Sequence, residues 1–219
     1  MSGMLNSTIA RKVAMALSGL FLVIFLAQHF FINFTSVFGP DVFNEFSHFM
    51  GTNSLVQYIA QPILIFGVIF HFVMGFILEI RNRNARGVSY ARFNGAANST
   101  WMSRNMIWSG LVILAFLGLH FYDFWFPEMI HKYIEFHPED PARYYDEMVV
   151  KFENPIRTWL YVVSFVFLSL HLLHGFSSSF QSIGFNNKYS KGLRGFTVAY
   201  AILIPLGFIF IALFHHFNP

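Results

Sequence analysis

Cysteine is absent from the 219 residues, and charge is scarce: Asp, Glu, Lys and Arg together make up 11% of the chain. The first absence excludes disulfides, cysteine-ligated iron–sulfur clusters and covalent CxxCH haem attachment within this chain. The second excludes an ordinary soluble domain, in which roughly a quarter of the residues are charged. With 55% hydrophobic residues and 30 phenylalanines, a water-soluble fold would expose far too much apolar surface. Lipid is the solvent this composition demands. Internal repeats and low-complexity tracts are also missing, so the chain reads as one membrane domain over residues 1–219.

Five apolar stretches are long enough to cross a hydrocarbon core of about 30 Å, which takes about 20 helical residues. They run approximately over 13–34, 55–80, 106–126, 158–180 and 196–214. The first is not followed by a small-residue cleavage site and is expected to remain as a span. Gly39-Pro40-Asp41, Pro127 and Asn154-Pro155 supply turn and helix-start chemistry between them. The fold class expected is all-α and integral to the membrane, with the first four of five spans forming a bundle.

Basic residues are segregated. Arg11, Lys12, Arg81, Arg83, Arg86, Arg92, Arg104, Lys188, Lys191 and Arg194 fall on one side of these spans, leaving only Lys132, Arg143, Lys151 and Arg157 on the other. Most acids, from Asp41 and Glu45 through Glu128 to Glu153, lie on that second side. This asymmetry predicts a cytoplasmic N-terminus. It also explains the net charge of +3 without nucleic acid. The acidic 128–157 connection is expected to form a short helical or irregular cap on the outer face. Trp101, Trp108, Trp125 and Trp159 all lie near span ends, where an aromatic belt is expected.

Ten histidines in so apolar a chain are the conspicuous presence. The first four spans contain His29, His71, His120, and His171 with His174, and ionisable groups inside spans are costly and usually functional. Combined with the topology, their positions predict two depths: His29 with His120 toward the outside, His71 with a span-four histidine toward the inside. Two imidazoles from two helices can clamp a haem iron between them, so two haems b stacked along the membrane normal are expected. Either His171 or His174 could serve in span four, since three residues apart they lie on similar faces. His174 is preferred for its deeper position and adjacent Gly175. Gly19, Gly75, Gly110 and Gly118 near the histidines would allow close approach of helices or a flat macrocycle. His48, His131, His137, His215 and His216 are expected in solvated or interfacial positions. Asp123, one turn after His120, would either serve proton uptake or sit at headgroup level.

Ser18-Gly19-Leu20 leading to Gln28-His29, His71 in span two, Ser109-Gly110 leading to His120, and His171-Leu-Leu-His174-Gly175-Phe176 followed by Ser179-Phe180-Gln181-Ser182-Ile183-Gly184 resemble one family across nearly the whole chain. It is the di-haem cytochrome b membrane-anchor subunit of succinate:quinone oxidoreductases (succinate dehydrogenase or fumarate reductase) of the single-anchor, five-helix type. The resemblance implies His29 and His120 on the outer haem iron and His71 and His174 on the inner one. It implies a flavoprotein and an iron–sulfur partner on the cytoplasmic face, a quinone substrate, usually menaquinone, and a bacterial cytoplasmic membrane. Glu45, His48 and Asp123 are the polar groups nearest the depth at which the family handles quinone. Arg11, Lys12, Ser18, Arg104 and Lys188 are available to the inner haem propionates. Some fumarate reductases of this type carry a glutamate two residues before the span-four ligand. Leu172 stands there when His174 is the ligand, which tilts the expectation toward succinate oxidation. The rival readings are a cytochrome b subunit of a hydrogenase or formate dehydrogenase, and a haem-free, proton-coupled transporter.

Overall fold

The computed structural model describes residues 7–84, 105–185 and 190–218. Eight helices follow in order: α1 (Thr8–Phe34), α2 (Pro40–Thr52), α3 (Gln61–Asn84), α4 (Met106–His120), α5 (Phe126–Tyr133), α6 (Arg143–Glu153), α7 (Pro155–Ser182) and α8 (Ser190–Phe217). A π turn at Val56–Ala60 runs into α3, and another at Phe121–Trp125 joins α4 to α5. Five helical segments are long and apolar enough to cross a membrane: Thr8–Phe38, Val56–Asn84, Met106–Tyr133, Pro155–Ser182 and Ser190–Phe217. The chain is therefore a multi-pass membrane protein of all-α class.

Each span extends past its apolar run because polar caps continue the helix beyond the hydrocarbon. The Ser7 hydroxyl accepts from Ala10 N–H at 3.5 Å to open α1. Asn154 Oδ1 accepts from Arg157 N–H at 3.1 Å to open α7, with Pro155 at the first position, where no backbone donor is lost. Gly39, at φ 130°, makes the reversal into α2 that a side chain would resist.

α1, α3, α4 and α7 form a four-helix bundle, and α8 lies along α7 and α1 on its outside. The N-face of the bundle holds the starts of α1, α4 and α8 and the ends of α3 and α7. Arg11, Lys12, Arg81, Arg83, Lys191 and Arg194 gather there; Arg86, Arg92, Arg104, Lys188 and Trp101 lie outside the described residues. The opposite face is covered by α2, α5 and α6. In the acidic connection α6 buries Met148, Val149 and Phe152 against Phe43, Tyr161, Phe208 and Ile211. Glu128 pairs with both Lys132 and Arg143, and Arg143 Nη1 donates to Glu147 at 2.7 Å. The expected cap is thus two short helices tied by charge to the ends of the spans.

α6 also changes the surroundings of the terminal histidines. His215 is fully buried, its Nε2 lying 2.9 Å from Ser36 Oγ, and His216 Nδ1 lies 2.8 Å from the Phe152 carbonyl oxygen. The expectation of solvated rings is corrected for His215, because α6 folds over the end of α8.

Small residues set the seam between α8 and α1. A Cβ on Gly207 would fall inside van der Waals contact of the Phe30 ring. Gly207→Val should destabilise the detergent-solubilised protein by about 1–3 kcal/mol, the usual range for overpacking, seen as a lower thermal midpoint. Leu206→Val, one residue earlier and more than half exposed, should change it little.

Candidate haem-binding centre

Two pairs of imidazoles meet inside the bundle. At the level nearer the opposite face, His29 of α1 and His120 of α4 have ring centres 5.7 Å apart and planes at 85°. At the level nearer the N-face, His71 of α3 meets His171 of α7 at 6.4 Å and 70°. The first pair is the one expected. In the second, the ring facing His71 belongs to His171 and not to His174. The argument for His174 leaned on Gly175, but that glycine makes room for Met106 of α4, whose Cε would lie 2.9 Å from an added Cβ. His174 makes no ring contact with His71 among the described residues. Helix–helix packing accounts for the glycine, and the neighbouring turn of α7 carries the imidazole inward.

The far level opens into a cavity of about 190 Å³. Phe25, Phe116, Phe121, Phe124 and Phe165 are among the residues that line it, together with Met148 and Phe152 of α6. Phe116 stacks on His120 at 5.8 Å, and Phe25 stacks on His29 at 5.4 Å. Water is displaced by rings, and the imidazoles stand in an apolar, low-dielectric space.

The donor set fits haem better than a bare ion. Among the described residues no three His, Asp or Glu side chains converge on one point, whereas zinc takes four ligands. Two imidazoles per level suit an iron whose four in-plane positions a porphyrin fills. With metal–nitrogen bonds of about 2 Å, two imidazoles on one iron place their centres roughly 6 Å apart, which both pairs match. His120 Nδ1 is buried without a hydrogen-bond partner, so that ring has not been absorbed into the protein's own polar network.

Above this level the π turn carries Asp123 into the bundle, where it is 1% exposed. Its Oδ2 accepts from Tyr161 O–H at 2.9 Å, and its Oδ1 lies 3.3 Å from Arg157 Nη1. Tyr161 lines the cavity and lies 6.4 Å from His120, ring centre to ring centre. Of the three polar candidates at this depth, Asp123 is the one bonded to a residue of the cavity wall, Tyr161. Glu45 is exposed on α2, and His48 faces Glu139 at 3.9 Å and the Tyr144 ring. Burial, followed by the charge on Glu128, pushes Tyr144 up to about 12, so it stays a neutral phenol beside His48. Neither Tyr161 nor Arg157 could be linked to Asp123 from the sequence, because they sit on another span, 38 and 34 residues away.

At the N-face, Arg11 and Lys12 occupy the first turns of α1, with Arg11 buried. Ser18 lies deeper than the bundle edge, and its hydroxyl is 3.1 Å from His71 Nδ1. Its hydroxyl is thus engaged with the imidazole. Arg104 and Lys188 lie outside the described residues.

The chain matches no protein-family model, no curated protein and no solved structure.

Asp123 is buried while Arg157 is partly exposed, so removing the guanidinium leaves a buried polar group without its partner. Arg157→Ala should therefore destabilise the protein by about 1–3 kcal/mol, with Arg157→Lys recovering part of the loss, both read from thermal unfolding in detergent. An unchanged midpoint for Arg157→Ala would mean that the contact adds no stability.

Proposed function

We propose that this chain is a di-haem cytochrome b membrane anchor of the succinate:quinone oxidoreductase type, linking an iron–sulfur partner subunit to a quinone in the bilayer. The observation that carries the reading is the meeting of four intramembrane imidazoles as two pairs at two levels, each pair separated by the distance two ligands on one iron require. His29 and His120 would hold the far haem, and His71 and His171 the near one. When bound, the two haems would supply a one-electron path across the bilayer.

The residues of the chain do the rest. A neutral imidazole leaves one ring nitrogen unprotonated, and that nitrogen can act as a ligand. The phenylalanine wall excludes water from the far site, which favours electron transfer over side reactions with solvent. Asp123, tied to Tyr161 at the cavity wall and to the half-exposed Arg157, is the group suited to take or release a proton as a quinone is converted near the far level. The basic N-face, with Arg81, Arg83, Lys191 and Arg194, would receive the flavoprotein and iron–sulfur subunits, and by its positive charge is the cytoplasmic side. With His171 as the ligand, the position two residues before it is Ser169. It carries no carboxylate, just as Leu172 did not, so the tilt toward succinate oxidation with menaquinone stands.

A reduced-minus-oxidised visible spectrum of the purified protein should show b-type alpha bands equivalent to two haems per chain. His29→Ala or His120→Ala should remove one component, and His71→Ala or His171→Ala the other, while His174→Ala keeps both. No alpha band in a haem-sufficient preparation would sink the reading. A wild-type spectrum from His171→Ala, with a lost component in His174→Ala, would return the ligand to His174. Mild solubilisation from the native membrane should co-purify a flavoprotein and an iron–sulfur protein with succinate-dependent quinone reduction. A hydrogenase or formate dehydrogenase partner there would instead favour the rival assignment.

A further inference from the structure

Resting on the two-haem reading, we propose that Ser18 and Ser109 are positioning residues that fix the tautomer of the near-level imidazoles, so that His71 and His171 each present an unprotonated Nε2 to iron. Ser18 Oγ donates to the Met15 carbonyl at 2.9 Å and lies 3.1 Å from His71 Nδ1. Ser109 Oγ donates to the Met106 carbonyl at 2.9 Å and lies 3.2 Å from His171 Nδ1. A hydroxyl has one proton. Here the carbonyl one turn back takes it, so toward the imidazole each serine acts only as an acceptor. Nδ1 must then carry the hydrogen, and in a neutral ring that leaves the lone pair on Nε2.

The glycine after each serine completes the arrangement. A Cβ on Gly19 would lie 3.4 Å from His71 Cε1, and one on Gly110 would lie 3.9 Å from His171 Cε1. The Ser-Gly step thus offers a hydroxyl and a bare patch of helix to the same ring. It recurs at one spacing, with Ser18 and Ser109 each eleven residues before His29 and His120. Eleven residues make three turns with a remainder of about 20°, and rise about 16 Å. Hydroxyl and imidazole therefore share a face of their helix, one at each level. α1 and α4 each ligate at the far level and orient at the near level, while α3 and α7 supply the near-level rings.

Among the described residues the far level has no such acceptor: Asn33 Nδ2, 3.5 and 3.4 Å from the two His29 ring nitrogens, is an amide donor. His120 Nδ1 has no partner, and the Asn33 amide near His29 gives its best hydrogen bond, at 2.8 Å, to the His29 carbonyl. An acceptor on the remote ring nitrogen makes a histidine a stronger ligand and favours the ferric state. The serines should accordingly lower the potential of the near haem alone.

The test is haem titration and spectroelectrochemistry on the full chain in detergent, comparing wild type with Ser18→Ala, Ser109→Ala and the corresponding threonine variants. In each alanine variant the midpoint of one haem should move upward while the other stays in place. Affinity for haemin at the shifted site should fall roughly 10- to 100-fold, and threonine should restore both values. The unmoved haem reports that the bundle is intact. If an alanine variant holds neither haem, Ser18→Cys and Ser109→Cys, which keep the volume with a weaker acceptor, carry the same expectation. A wild type that takes up no haem overturns the two-haem reading and this assignment with it. A two-haem wild type whose serine variants match it in both measurements overturns this assignment alone.

Discussion

An imidazole placed among phenylalanines in lipid has one donor and one acceptor to satisfy and no water to satisfy them. That constraint organises the interior. The bundle meets it by bringing the rings together in pairs, so that each polar ring has another polar ring as its neighbour, and by letting hydroxyls from α1 and α4 reach the near pair. The stacked Phe25 and Phe116 restrict ring rotation at the far pair. Rings held in this way with one nitrogen to spare are suited to act as ligands, and a metal held between two of them would satisfy the remaining lone pairs.

The face opposite the N-face shows how a second requirement, closing the cavity, is met. α6 lowers Met148 and Phe152 onto the bundle end, and the ion pairs of Glu128 with Lys132 and Arg143 hold the neighbouring helices in place. The π turn after His120 re-aims the chain at the point where a regular helix would have carried Asp123 elsewhere. Such turns often mark functional positions. The result is a buried carboxylate between a cavity-lining phenol and a cation that reaches solvent. The two levels are consequently unlike: the far one combines a cavity with a buried carboxyl group close to its wall, and the near one combines hydroxyl-bonded rings with a basic face.

That inequality suits a protein whose two ends have different tasks. A near haem of lower potential would sit beside the protein partner, and a far haem would sit beside a site where protons and electrons meet on a quinone. Placing the oriented rings at the near level and the cavity at the far level keeps each adjustment local to one haem.

Much of this was legible without coordinates. Five spans and the membrane setting follow from apolar run length and scarcity of charge, because the bilayer imposes one length and one polarity on every span; the span ends, up to seven residues beyond the apolar runs, do not. The depth pairing of His29 with His120 was also readable, since sequence position along a span is depth. Rotation about the helix axis is a different matter. Whether the ring of His171 or of His174 faces His71 depends on how α7 packs, and Gly175 does not decide it, because a glycine serves Met106 as readily as it would serve a macrocycle. The burial of His215 under α6, the meeting of Asp123 with Tyr161 and Arg157, and the reach of Ser18 and Ser109 to imidazoles 53 and 62 residues away were likewise beyond local reading. Length and polarity are properties of a segment and travel with the sequence; which faces meet is a property of the packed bundle, and only the tertiary structure decides it.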